Sequence, residues 1–263
     1  MYHYFVETSN DVISFMREAT HEEYEMLSQC IERISCLNID DARIQIVKHS
    51  YNELMDAVKR INDGDTMLAT NGCLASKLTG FLSCTRKYLD NWETHLKSKY
   101  GKNSTEVELF SKETGNLYDN YPEYCFMYRL RNFDQHCEIV FSKFTEYIGD
   151  DGKAHRIILV NRERLLNSPF TGWKQIDKDF IKRKDEDFDI LPIIQVYYNC
   201  LLELHSKLLH MHLNKDFFND CVSVLKVVNE FENEDCISIF SSEVEFNADF
   251  IHQNNKEFQC TYL

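Results

Sequence analysis

Four side chains between positions 131 and 136 have the chemistry to act on a substrate: Arg131, Asn132, Gln135 and His136, in the string YPEYCFMYRLRNFDQHC from Tyr121 to Cys137. An imidazole titrates near neutral pH and can take or give a proton. A guanidinium is a planar fork that can hold two oxygens of an anion. The amides add donors and acceptors. On a helix at about 100° per residue measured from Arg131, Gln135 falls near 40°, Asn132 near 100° and His136 near 140°, with Tyr128 between Arg131 and Asn132. Phe133, Phe126, Cys137 and Leu130 gather on the far side, at roughly 200–260°. An ordinary solvated face would carry Lys and Glu, which favour helix and lose little in water. Amides and an imidazole there point either to a site or to structural glue. In the structural case Asn132 and Gln135 tie the helix to its neighbours and His136 serves as a cation at the helix C-terminus.

Arg131-Asn132, three further residues and then His136 resemble the Arg–polar–X(3–5)–His signature of the HEPN superfamily. The wider string, Leu130-Arg131-Asn132 with Gln135-His136-Cys137, is similar to a group of poorly characterised bacterial proteins carrying LRN-x-x-QHC. The resemblance implies a bundle of antiparallel helices over roughly Ile39–Cys137. It implies a metal-independent endoribonuclease that needs no cofactor and uses the ribose 2′-OH as internal nucleophile. In such an enzyme His136 is the acid/base, Arg131 stabilises charge on the phosphate, and Asn132 orients the imidazole or donates to the phosphate. Tyr128, Arg129, Gln135 and Asn71 stand as supporting or substrate-binding residues. RNA is the implied substrate, a homodimer with facing motif helices the implied assembly, and an antitoxin or antiphage-defence protein the implied partner. Some members carry a Tyr two residues after the His as a target for nucleotidylation; Glu138 stands there in this chain, so that control is not expected. Other members have lost catalysis, and the alternative is a non-catalytic helical interaction protein or an antitoxin-like subunit.

The elements that must position these groups read as mostly helical. Apolar spacing predicts a first helix over Val12–Leu37, and Ile39-Asp40-Asp41 as the cap of a second one to Ile61. Asn62–Asp65 is a turn signal, and a third helix over Thr66–Lys99 carries Met67, Leu74, Leu78, Phe81, Tyr88 and Trp92 as a near-heptad stripe. Asn71 interrupts that stripe, either as a register-setting hydrogen bonder or as a member of the His136 cluster. Gly101 closes this helix and Ser104-Thr105-Glu106 opens a fourth, which runs into the motif helix. Beyond Cys137, Ile139–Tyr147 and Ile157–Val160 flank a Gly-Asp-Asp-Gly turn and read as a β-hairpin. Asn167–Trp173 reads as a loop and Lys174–Asp187, with balanced charges, as a solvated helix or linker without a binding role. Helices follow at Ile190–Leu213 and Phe217–Phe231, and Ile237–Phe240 suggests an edge strand. The expectation is a mainly α protein: a helical bundle with the motif helix over 1–137, a β-hairpin insertion over 138–165, and a helical C-terminal extension over 166–263 packed on the same core.

Composition bounds the rest. A chain of 263 residues with 43% hydrophobic and 13% aromatic residues can build a sizeable core, and only 8 Gly and 3 Pro favour long helices. No apolar run approaches the roughly 18–20 residues of a membrane span, and the N-terminus has no basic and apolar regions of a secretory signal. The ten cysteines are scattered without a C-x-x-C pair, which reads as a reduced cytoplasmic protein and leaves a zinc site as the minor alternative. His205 and His212 share a helix face without an accompanying ligand, so no metal is assigned. A net charge of −14 argues against a broad grip on nucleic acid, which needs many neutralised phosphates. Cleavage of RNA then requires a narrow positive cleft or a basic partner.

Overall fold

The structure is a computed structural model and describes residues 1–9, 12–65, 72–148, 154–211, 213, 215–231, 237–242 and 261–262. The chain divides into two compact units, one built from residues 1–40 and 209–263, the other from residues 41–208.

In the first unit, β1 (Tyr2–Ser9) and β2 (Val12–Ala19) form an antiparallel hairpin, and α1 (His21–Asn62) follows it. The expected helix over Val12–Leu37 is therefore strand in its first part. Ile13 and Met16 fit a helical period, yet the Tyr2-His3-Tyr4-Phe5-Val6 run before them is strongly β-prone and offers a strand edge to pair with. The helix begins instead at a capping box, in which Glu23 N–H donates to Thr20 Oγ1 at 3.1 Å and Thr20 N–H donates to the Glu23 carboxylate at 2.8 Å. No Gly or Pro interrupts positions 21–62, and α1 runs on through Ile39-Asp40-Asp41, where a second helix was expected to start. The boundary between the units falls within α1, after Asp40. Near the C-terminus, β6 (Ile237–Ser242) pairs with β1 on one side and with β7 (Thr261–Tyr262) on the other, giving the order β2-β1-β6-β7. It is an interior strand and not the expected edge. The sheet buries Phe5, Ile237 and Ile239 against Leu27 and Ile31 of α1 and Val227 of α8 (Lys215–Val228).

The second unit holds the motif. Asp63–Asp65 end α1 as anticipated, with Gly64 at φ 110°, a value that disfavours any residue with a Cβ. α2 (Cys73–Tyr100) closes on Gly101, whose N–H donates to Lys97 O, and α3 (Thr105–Asn120) opens on Ser104, whose hydroxyl accepts from Val107 N–H. α4 (Pro122–His136) has Pro122 in its first turn and is the helix expected over 121–137. Thr79, Ser83 and Arg86 of α2 bond Asp134, Gln135 and Tyr128 of α4, so α2 and α4 run antiparallel. The hairpin beyond Cys137 is present as β3 (Lys143–Ile148) and β4 (Ala154–Asn161), and its turn lies outside the described residues. A third strand, β5 (Asp187–Asp189), joins it. The short α5 (Arg162–Asn167) and α6 (Gln175–Lys182) flank the loop 168–174, and α7 (Leu191–His210) returns along the bundle. The stretch Lys174–Asp187 is thus no solvated linker. It buries Asp177, Phe180 and Ile181 and supplies a strand. The chain is mostly helical with two small antiparallel sheets. Among the described residues no helix is long and apolar enough to cross a membrane.

Candidate functional site

α4 is held by its apolar face. Tyr124, Cys125, Phe126, Met127, Leu130 and Phe133 are buried. Trp173 stacks near both Phe126, at 5.7 Å between ring centroids, and Phe133, at 5.8 Å, while its indole N–H donates to Leu165 O. These contacts fix the rotation of α4 and so decide which polar side chains remain available. The thiol of Cys125 donates to Tyr118 O at 2.9 Å, and burial pushes its pKa up to about 11, which keeps it from acting as a nucleophile.

At the C-terminal end of α4 the three residues of the signature separate in environment. His136 is exposed, and among the described residues no hydrogen bond or ion pair engages its ring. Arg131 is half-buried, and its Nη1 donates to Asn132 Oδ1 at 3.0 Å. Its Nε is sealed from solvent without a partner among the described residues, so the guanidinium offers its outer edge. Gln135 donates to Ser83 Oγ at 3.2 Å and thus ties α4 to α2, the structural role open to it from the sequence. Asp134, which sequence reasoning passed over, accepts from Thr79 Oγ1 at 2.6 Å, and burial raises its carboxyl pKa.

One turn earlier, Arg129 is a structural cation. Its guanidinium lies 2.7 Å from the fully buried carboxylate of Asp177, donates to Tyr118 Oη at 2.7 Å and reaches Gly172 O at 3.2 Å. Burial raises the pKa of Asp177, opposed by the N–H of Lys174 and by the charge of Arg129. With those contacts made, Arg129 is not free to leave the fold for an extended RNA strand. Tyr128 accepts a hydrogen bond from Arg86, whose guanidinium also pairs with Asp90 at 2.9 Å. Tyr128 and Arg129 line a cavity of about 590 Å³ with residues of α2, α3 and Lys174, and Arg131, Asn132, Gln135 and His136 lie outside its lining. Asn71 falls outside the described residues.

No protein-family model, no curated protein and no solved structure matches the chain. The chemistry of the site follows from its geometry. Among the described residues no cluster of three or more His, Cys, Asp or Glu stands where it can hold a metal ion. His205, considered from sequence as a ligand with His212, is buried; its Nδ1 lies 3.2 Å from Tyr88 Oη and its Nε2 3.2 Å from Asp41, whose pKa is lowered chiefly by that contact. His212 lies outside the described residues. The eight described cysteines are free thiols. A second hollow, of about 560 Å³, is lined by Arg162, Lys178 and Lys182 with Glu163, Leu166 and Asn167. It adjoins α5, whose Arg164 bonds Glu138, two residues after His136. Sequence reasoning missed Arg86, Asp177 and Lys174. Asp177 was legible as the acidic third residue of a helix start, since its carboxylate accepts from Lys174 N–H at 2.8 Å.

Proposed function

We propose that the chain is a HEPN-like helical protein acting as a metal-independent endoribonuclease, with His136 as its acid/base and the outer edge of Arg131 as its phosphate contact. One observation carries the reading: the imidazole of His136 is exposed and unengaged, a turn beyond an arginine whose orientation is set by Asn132. An imidazole held open at neutral pH can take the proton of a ribose 2′-OH as its oxygen attacks phosphorus, and can return a proton to the departing 5′-oxygen. Arg131 then faces the charge that develops on the phosphate oxygens. The hollow lined by Arg162, Lys178 and Lys182 gathers three cations in a chain of net charge −14, a local feature that can face a phosphate backbone. The motif's one Arg and one His are few for phosphodiester cleavage, and a twofold dimer with facing α4 helices doubles the set. A toxin or an antiphage-defence effector, controlled by a partner protein, is the setting such an activity suits.

A second reading is favoured by Gln135 bonded to Ser83 and by the sealed Nε of Arg131. In it the same face is cement for a helical interaction protein. Incubation of purified protein with single-stranded RNA in EDTA separates the two. Cleavage leaving 2′,3′-cyclic phosphate ends, abolished in His136→Ala at an unchanged melting temperature, supports the enzyme. An inactive wild type, with unfolding in Arg131→Ala, supports the interaction protein.

A further inference from the structure

The cavity of about 590 Å³ among α2, α3, α4 and Lys174 has a volume within the roughly 300–1,000 Å³ of small-molecule sites. Its lining is polar in an ordered way. Arg129 donates to the oxygen of Tyr118, and Arg86 donates to the oxygen of Tyr128. A phenol that accepts a hydrogen bond still has its own O–H to give. Among the described residues nothing accepts either phenolic proton. At one end two cations flank the Tyr118 ring, the guanidinium carbon of Arg129 at 5.8 Å and Lys174 Nζ at 5.9 Å from its centroid. Asp177 pairs with Arg129, whereas no carboxylate pairs with the Lys174 ammonium among the described residues. The Lys174 ammonium, which acts on Asp177 only through space, therefore stands at the cavity without a direct ion pair among the described residues. The lining also holds Asp90, which shares the Arg86 guanidinium with Tyr128, and Glu93, which pairs with Lys97, while Leu89, Phe110 and Tyr124 provide apolar surface.

We infer that this cavity is a binding site for a small phosphorylated molecule with an aromatic or apolar body, its phosphate held by Lys174 and the phenolic O–H groups of Tyr118 and Tyr128. A phosphate presents three oxygens to these donors, which a planar carboxylate cannot satisfy together. Hydroxyl or amino groups of the ligand meet Glu93, and the body packs on Phe110 and Tyr124. A nucleoside monophosphate has this distribution of groups. The site is independent of the ribonuclease reading, because His136 and Arg131 do not line it. RNA cleavage can fail while binding here holds, and the reverse.

The test titrates the full chain with adenosine 5′-monophosphate, adenosine and inorganic phosphate, read by calorimetry and by thermal shift. Binding of the monophosphate, competed by inorganic phosphate and much weaker for adenosine, is expected. Tyr128→Phe and Tyr118→Phe keep each ring and remove one donor, so each should weaken the monophosphate about tenfold. Lys174→Met should weaken it at least as much without lowering the melting temperature, since that side chain is exposed; it decides the matter if a tyrosine variant is unstable. Binding that survives Lys174→Met unchanged, adenosine binding as tightly as its monophosphate, or no binding tighter than about 1 mM by any of the three overturns the inference.

Discussion

Replacing Arg129 by Met is the sharpest test of how α4 is held. The substitution preserves most of the side-chain volume and removes three interactions at once, to Asp177, Tyr118 and Gly172. The Arg129 side chain is 15% exposed and that of Asp177 is 0% exposed, so water cannot replace the lost cation at the carboxylate. Leaving one member of a buried pair uncompensated costs about 3–5 kcal/mol. At about 2–4 °C per kcal/mol for a chain of this length, the melting temperature should fall by on the order of 10 °C. Both tryptophans, Trp92 and Trp173, belong to the unit of residues 41–208, so intrinsic fluorescence during urea unfolding reports on the affected unit alone. Arg129→Lys should fare little better, because an ammonium cannot span the three acceptors that a planar fork reaches. Adding Asp177→Asn to Arg129→Met should recover more than half of the loss, since the amide removes the stranded charge and still caps α6 at Lys174 N–H. A cost below about 1 kcal/mol for Arg129→Met, or no rescue in the double variant, would refute the assignment of Arg129 as a structural cation.

Trp173→Ala empties the space against Phe126 and Phe133 and should cost about 3–5 kcal/mol by chemical denaturation. Thr20→Ala removes half of the box that starts α1 and should cost about 0.5–2 kcal/mol, visible as faster hydrogen exchange at Glu22–Tyr24. The Arg33 guanidinium beside Asp220 holds that carboxyl below the usual carboxylate range. The native chain therefore binds this proton less tightly than the unfolded one. The associated stability is full above about pH 4 and is lost as pH falls through the lower native value. Asp220→Asn should flatten that acid limb, measured by exchange of the Leu27–Arg33 amides, and an unaltered limb would contradict the pairing.

How much of this was legible in the sequence depended on the range of the interaction. The bounds of α4 are local, set by Pro122 at one end and an uninterrupted apolar stripe, and they were readable. So was the β3–β4 pair, because Ile157–Val160 is dense in β-branched residues and follows a glycine turn. The N-terminal hairpin was not, since the three-residue spacing of Ile13 and Met16 fits a helix and not the alternation of a strand, and pairing with β1 overrides it. At the site, the apolar and polar faces of α4 were predictable from spacing. Which polar groups meet across helices was not. Arg129 and Arg131 are two positions apart and look alike in sequence, yet one pairs with a buried carboxylate on α6 and the other, among the described residues, with its neighbour Asn132. The capping residues Thr20 and Asp177 were the overlooked local signals.

The sheet order β2-β1-β6-β7 also has a consequence for how the molecule is made. The hairpin β1–β2 leaves the ribosome before β6, which completes the inner side of β1 and lies more than two hundred residues later. At 5–20 residues per second, roughly ten seconds to most of a minute separate the two events. Throughout that interval the hydrogen-bonding edge of β1, with its Tyr-Phe-Val run, stands uncovered and can pair with a neighbouring nascent chain. The unit of residues 41–208 has no such wait, since every strand and helix it needs is contiguous. Yield should therefore be limited by the N-terminal hairpin when translation is slow, and faster synthesis or a chaperone that shields exposed strand edges should protect it.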